Sequence, residues 1–412
     1  MLSVNKNMKS ILRKFSIIAV ATAMLWSSTA LAQEISQGSP GYRLMDLEER
    51  IDKLEGTSPL RVSAGVETLY ILADHNESDK DKGGKYFLDK FEVNMSGDFD
   101  SGLYYRSRWD YQVTQQAFFP AWTYAGYNHS DNWATEVGVI IQPLGAGVDG
   151  SYYDNSFLSD VPLWIGLANN SEPGIKTKFK QGNWQGVFAF TKNQELFGKP
   201  TARYRPDLIA VDDANGNPLS EVEVNNTFHG GGAYTIDLDG ATLQLGSNGQ
   251  YGNLYNTVTN SDGGQHWAAT AFANYRSGGF AFTLQGMAYN YDLDRAPVGG
   301  PATTDTVWLS QGKPIPADGK VYSTRISYTM PASIGVFDTV QFYHDYDYLD
   351  SGSEDTISAD DTQFSIAGVH LSRDAYHTWV SVYSSKNAAF ANGGPDDDSW
   401  NTQLTVTLAV YF

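Results

Sequence analysis

Three lysines occupy alternate positions in "GIKTKFKQGN": Lys176, Lys178 and Lys180, separated by Thr177 and Phe179. In an extended chain successive side chains point to opposite faces. The three ammonium groups therefore share one face, and Ile175, Thr177 and Phe179 share the other. Neighbours on one face start ~7 Å apart, twice the rise per residue. Two unit charges so placed repel by about 0.6 kcal/mol in water and about 2.4 kcal/mol at an effective dielectric of about 20. A dry core could hold such a row only with matched acids, whereas a water-filled passage holds it readily. A lysine turned toward lipid costs ~2–4 kcal/mol near the midplane. The chemistry on offer is attraction of anions along a wet wall.

Other basic residues repeat the theme. Arg106 and Arg108 share a face with Asp110, Lys90 shares one with Glu92, and Arg325 is a further candidate for the same wet surface. Arg203 and Arg205 keep the spacing, but Pro206 marks a strand end or loop. Covalent chemistry finds little support. The histidines (His75, His129, His229, His266, His344, His370, His377) are scattered, and HExxH, GxSxG and cysteine are all absent. Lipid hydrolysis by a barrel would need a His and a Ser meeting on its outer face. His370 in "FSIAGVHLS" shares a face with Phe364 and Ile366, which makes it the residue to compare; the plainer reading is a girdle-level or strand-end histidine. "PDDDS" and "SADD" are oxygen-rich, as hard cations require, yet lack the spacing of a defined loop site and read as solvated acids. "GSNGQYGN" and "HGGGAY" read as turn and strand glycines rather than phosphate cradles. No cofactor and no metal is expected.

The elements that must position these residues begin with an address. "MLSVNKNMKSILRKFS" carries Lys6, Lys9, Arg13 and Lys14 and no acid; an apolar run and "STALAQ" follow. This is a secretory leader, residues 1–32, cut after Ala32. Losing its four basic residues takes the net charge from -19 to -23. Such acidity argues against nucleic acid as a partner. Zero cysteines argues against a disulfide scaffold. Residues 33–59 hold "YRLMDLEERIDKLEG", where Leu44, Leu47, Ile51 and Leu54 form an a/d stripe on a short helix closed by Gly56. That stripe could zip subunits together, or pack the helix on its own domain.

From Leu60 to Phe412 the pattern is all-β. In "WNTQLTVTLAVYF" Leu404, Val406, Leu408 and Val410 alternate with Gln403, Thr405, Thr407 and Ala409. "YFLDKFEVNMSGDF", "GLYYRSRWDYQV" and "VYSTRISYTM" alternate likewise. About sixteen such segments recur, each of roughly ten residues, the length that spans a bilayer when tilted. Connections alternate between short turns ("RSGG", "LSRD") and long acidic loops such as "DHNESDKDKGG" and "DYLDSGSEDTISADD". A soluble sandwich also alternates, so three further features decide: the leader is followed by no second anchor, aromatics gather at segment ends (Trp109, Trp122, Tyr124, Trp133, Trp184, Trp267, Trp379, Trp400), and the final strand ends on Phe412. The expectation is a transmembrane antiparallel β-barrel of about 16 strands over residues 60–412, lodged in the bacterial outer membrane behind a short periplasmic helix.

The chain resembles the phosphate-selective porin O and P superfamily. "FEVNMSGDFDSGLYYRSRWDY" is similar to that family's early hairpin, and "WATEVGVIIQPLG" to its strand and Pro-x-Gly entry into a long inward loop. A coiled coil ahead of a trimeric barrel resembles the dicarboxylate-type porins of the broader group. One departure counts against phosphate specificity: Gln142 and Leu144 stand where the family tends to place a basic residue and Phe. The resemblance implies a passive diffusion channel for small hydrophilic solutes, a homotrimer, and contact with lipid and lipopolysaccharide. A long stretch after the fifth segment would fold inward, setting Asp149, Asp154 and Asp160 across a constriction from the basic wall, or else loop outside. The lysine-rich wall points to weak preference for anions or small acids; dominance by the acids would reverse it. Rival readings are a barrel for adhesion or lipid hydrolysis, and a secreted carbohydrate-binding β-protein.

Overall fold

The computed structural model describes residues 60–150, 155, 161–194, 205–213, 215–298, 303–310, 312–352, 361–391 and 398–412. The expected leader and the expected helix carrying Leu44, Leu47, Ile51 and Leu54 lie outside them, as do Asp154 and Asp160.

The first seven strands are β1 (Leu60–Ala73), β2 (Lys85–Asp98), β3 (Leu103–Gln112), β4 (Ala117–Ser130), β5 (Trp133–Ile141), β6 (Ser171–Gln181) and β7 (Trp184–Asn193). A small hairpin, β8 (Val211–Asp212) with β9 (Pro218–Ser220), interrupts before β10 (Val222–Leu238), β11 (Ala241–Asn256), β12 (Ser261–Ser277) and β13 (Phe280–Leu293). A second hairpin, β14 (Thr306–Leu309) with β15 (Lys313–Pro316), precedes β16 (Asp318–Ile334), β17 (Phe337–Ser351), β18 (Thr362–Arg373), β19 (Tyr376–Lys386) and β20 (Asn401–Tyr411). Sixteen of these strands pair antiparallel, each with its sequence neighbours, and β20 returns to β1 to close the barrel.

The two ends of the barrel differ. At one end the strands are joined by turns of two to four residues. Gly182, Gly240, Gly278 and Gly335 there hold positive φ, and Asp374 does the same with φ 49. A Cβ on any of these four glycines would meet open space. Backbone conformation rather than crowding selects glycine, as tight hairpins between right-twisted strands require. The other end carries the long connections, including the six-residue helix α1 (Glu77–Lys82) and the short helix α2 (Val161–Trp164).

The packing is inverted relative to a soluble protein. Val137, Ile175, Phe188, Ile326 and Val382 stand exposed on the outer face. Glu67, Thr191, Asn248, Thr270, Gln285, Ser323 and Thr405 are buried on the inner one. Trp133, Trp184 and Trp400 lie on the exposed surface near strand ends, as a girdle would place them, and Trp267 is exposed farther along β12. Trp122, Tyr124 and Trp379 depart from the girdle expected of them. Trp122 lies under the Arg108 guanidinium on the inner face, and Trp379 stacks on His370 inside the barrel. A register shift where Arg108 and Trp109 meet Trp122 and Pro120 accounts for the first pair, because one extra residue in a strand reverses the face of everything beyond it.

The long connections fill much of the interior. Leu144, Val161, Ile165 and Leu167 from residues 142–170 pack with Leu208, with Val307, Leu309 and Ile315 of the β14–β15 hairpin, and with Phe390. Wall residues Tyr289, Tyr291, Phe364, Ile366 and Tyr383 complete this apolar core. Glu221 braces the base of the β13–β16 connection, accepting from Asn256 Nδ2, Arg295 Nη2 and the Val298 amide at 2.8–3.1 Å.

Placing an arginine at the exposed mid-strand position Val137 sets the outer face its test. Val137→Arg should lower the unfolding free energy from lipid vesicles by ~2–4 kcal/mol. Unchanged stability in denaturant titration would show that this face does not meet lipid.

Candidate functional site

The basic wall is built on β2, β3 and β6. Antiparallel register sets Glu136 of β5 directly opposite Lys176 of β6. Glu136 is a buried carboxylate that serves two ammonium groups. Its Oε2 lies 3.1 Å from Lys176 Nζ, and its Oε1 lies 2.6 Å from Lys178 Nζ. Tyr104 Oη donates to the same Oε1 at 3.0 Å. Lys176 is 3% exposed, while the Lys178 side chain is 41% exposed. Lys180 is exposed, and among the described residues no carboxylate pairs with it. The row of three thus grades from a buried, neutralised end to an open one.

Below the inward segment this grading opens into a recess of about 230 Å³. Its sides are Lys178, Lys180, Gln185 and Val187 from the wall, Val148 and Asp149 from the segment, and Asp131 and Asn132 from the β4–β5 turn. Three ammonium groups and Glu136 leave the wall itself with two surplus positive charges, and Asp131 and Asp149 offset part of that at the rim.

A second ionic cluster occupies β1, β2 and β3. Lys90 Nζ lies 3.1 Å from Glu67, 3.4 Å from Glu92 and 3.8 Å from Asp110. Arg108 grips Asp110 with Nε at 2.9 Å and Nη2 at 3.2 Å, and reaches Glu92 at 2.8 Å. Its guanidinium carbon sits 5.2 Å from the Trp122 ring centroid, within cation–π range. Tyr411 Oη closes the far side on Glu67 at 2.8 Å. Two cations against three carboxylates leave this cluster slightly acidic. Arg106 points to the short-turn end, paired with Asp98 at 2.6 Å and lying over Tyr104.

Arg325 is elsewhere. It is 2% exposed on β16, opposite Asp345 of β17 and two residues from the position facing Asp347. Both acids also receive residues 142–170: Asn155 Nδ2 donates to Asp345 at 2.8 Å and the Val161 amide to Asp347 at 3.3 Å. Midway, Asn248 donates to the carbonyls of Gly145 and Gly147 and accepts from the Gly145 amide. Asn274 Nδ2 donates to the Ala146 carbonyl at 2.9 Å. These anchors carry the segment across the lumen from β6 to β17. Asp149 lies at its near end, exposed, with its carbonyl turned to Lys176.

The remaining sequence features take structural places. His370 does share a face with Phe364 and Ile366, but that face is the lumen, where its Nε2 meets His377 Nδ1 at 3.0 Å. It therefore lies away from the outer face that lipid hydrolysis would use. Asp361 accepts from Tyr348 Oη and from the Ser351 amide. Asp398 accepts from Lys386 and Asn387, which hold its carboxyl below the usual range. Missed from the sequence were Glu136, Asn248 and Asn274. The only sequence signal for Glu136 was that three lysines on one face demand an acid, which does not say which acid stands opposite them.

No protein-family model matches the chain, and no curated protein matches it in sequence. Solved structures match in fold. The outer membrane channel DcaP of Acinetobacter baumannii superposes with a TM-score of 0.54 at 10% identity, covering 86% of this chain and 97% of that one. The anion-selective porin from Comamonas acidovorans gives 0.53 at 12% identity, covering 86% and 100%. OmpT of Vibrio cholerae gives 0.52 at 11% identity, covering 86% and 97%. With its apolar outer belt and closed ladder, the chain is a sixteen-stranded outer-membrane β-barrel of the fold these porins share.

Proposed function

We propose that this barrel is a passive diffusion channel for small hydrophilic solutes, with weak preference for anions or small organic acids. The observation that carries the reading is the uneven filling of the lumen. Apolar loop residues pack against β13, β16, β18 and β19, whereas charged groups gather on β2, β3 and β6, mostly buried in ion pairs but exposed at Lys178 and Lys180. A polar solute follows the wet, ionic side. There Lys178 and Lys180 present positive charge with only partial compensation, while the Lys90–Arg108 cluster is slightly acidic. The opposing surpluses keep the preference weak. Transport needs no covalent step. The likeness in fold to an anion-selective porin supports the same reading. Short turns would face the periplasm and long loops the exterior.

Arg106 and Asp149 flank the pathway, and the leader, the helix of residues 33–59 and a homotrimer in lipid and lipopolysaccharide complete the proposed assembly. In planar bilayers under a KCl gradient, the double variant Lys178→Gln, Lys180→Gln should lose anion preference. An unchanged reversal potential would remove these lysines from the conducting path, and absence of any conductance in the parent would overturn the channel itself. Deleting residues 42–55 should make trimers dissociate at lower temperature on semi-native gels; unaltered trimers would assign the helix to packing within its own subunit.

A further inference from the structure

We propose that Lys176 is a positioning residue that staples the root of the inward segment to the barrel wall, and that it presents no charge to passing solutes. This deepens the channel reading by separating what shapes the constriction from what selects the ion.

An ammonium group has three donors and no acceptor. Lys176 Nζ has three oxygen neighbours: Glu136 Oε2 at 3.1 Å, the Ile141 carbonyl at 3.1 Å and the Asp149 carbonyl at 3.3 Å. Two donors are committed to the carbonyls, the carboxylate stands within ion-pair range, and at 3% exposure no solute reaches the ammonium. The two carbonyls bracket the first excursion of the segment. Ile141 is the last residue of β5, and Asp149 lies eight residues on, where the chain has turned back to the wall. Between them Ala146 and Val148 pack on Val187, Ala233 and Phe272. Glu136 supplies the countercharge that lets an ammonium sit there, and its other oxygen is shared by Lys178 and Tyr104. Charge and hydrogen bonding thus close over the same point. Lys178 and Lys180 make no such bond to the segment among the described residues. Of three chemically identical residues, one holds the loop and two face water.

The test uses a unique thiol, since the chain has no cysteine. Val148→Cys places it at a site 6% exposed, packed under the staple. In folded full-length protein in lipid vesicles, a membrane-impermeant maleimide should label this thiol slowly. With Lys176→Met added, labelling should accelerate on the order of tenfold, as local opening becomes cheaper. The variant with both Glu136→Gln and Lys176→Met should behave alike. It removes both buried charges, so an unpaired carboxylate cannot be blamed for misfolding, and heat-modifiable gel mobility reports folding. Equal labelling rates in parent and double variant would overturn the staple. This arm needs no conduction, so it stands apart from the channel reading. In bilayers, the Glu136→Gln, Lys176→Met double variant, which leaves the net charge of the wall unchanged, should change single-channel conductance while keeping ion preference. Loss of ion preference at unchanged conductance and unchanged labelling would make Lys176 an ordinary wall cation.

Discussion

A chain that crosses hydrocarbon must satisfy every backbone N–H and C=O within itself, because lipid offers no partner. With strands as the crossing element, this demand is met only when the last strand pairs with the first. Here β20 lies against β1 from Gly65–Tyr411 to Ala73–Gln403, and the ladder has no free edge. The remaining features descend from that closure. Once the sheet is closed, alternation leaves two environments, one of lipid and one enclosed. Apolar side chains such as Val137 and Phe188 go outward, and polar ones such as Glu136 and Asn248 go inward. The inversion is a consequence of solvent, not of a different folding physics.

Enclosure then creates a second problem. Polar side chains facing a lumen narrowed by loops lose water, and each must find a partner. The interior answers by region. Neutral amides on β11 and β12 bind the backbone of the inward segment, where Asn248 and Asn274 act as clamps. Apolar loop residues dock against wall positions that are themselves apolar, notably Tyr289, Phe364 and Ile366. Charged groups concentrate on β2, β3, β5 and β6, where they pair with one another. Lys176 shows the logic at one residue: an ammonium is tolerated in a nearly dry place because Glu136 neutralises it and two carbonyls take its other donors.

Strand number and face were legible because a half-lipid, half-lumen strand must alternate over its whole membrane crossing. The alternating stretches "YFLDKFEVNMSGDF", "GLYYRSRWDYQV", "VYSTRISYTM" and "WNTQLTVTLAVYF" coincide to within a residue with, or lie inside, β2, β3, β16 and β20. The face of Trp122 and Tyr124 was hidden by the register shift beside Pro120, since periodicity carries no information across an inserted residue. Partners across a long connection were hidden for another reason. Glu136 and Lys176 are opposite in space, but forty residues of chain give no count from which to fix their register. The apolar "VPLWIGL" inside a stretch read as an acidic constriction was the visible sign that this segment packs as well as narrows.

Selectivity in such a barrel cannot be inferred from total charge. The chain carries a net charge of -19, yet acids in the long connections act on bulk solution across about 8 Å of screening at physiological salt. Charges inside a narrow, low-dielectric wall act on a solute at contact, several-fold more strongly. What matters is therefore the small local remainder after pairing. One cluster keeps a slight excess of carboxylate, and the Lys178–Lys180 face keeps a slight excess of ammonium. A solute crossing the lumen meets these in sequence rather than as a sum. Under the channel reading proposed above, two opposed, partly cancelled fields along one path would weaken the preference for either sign of ion.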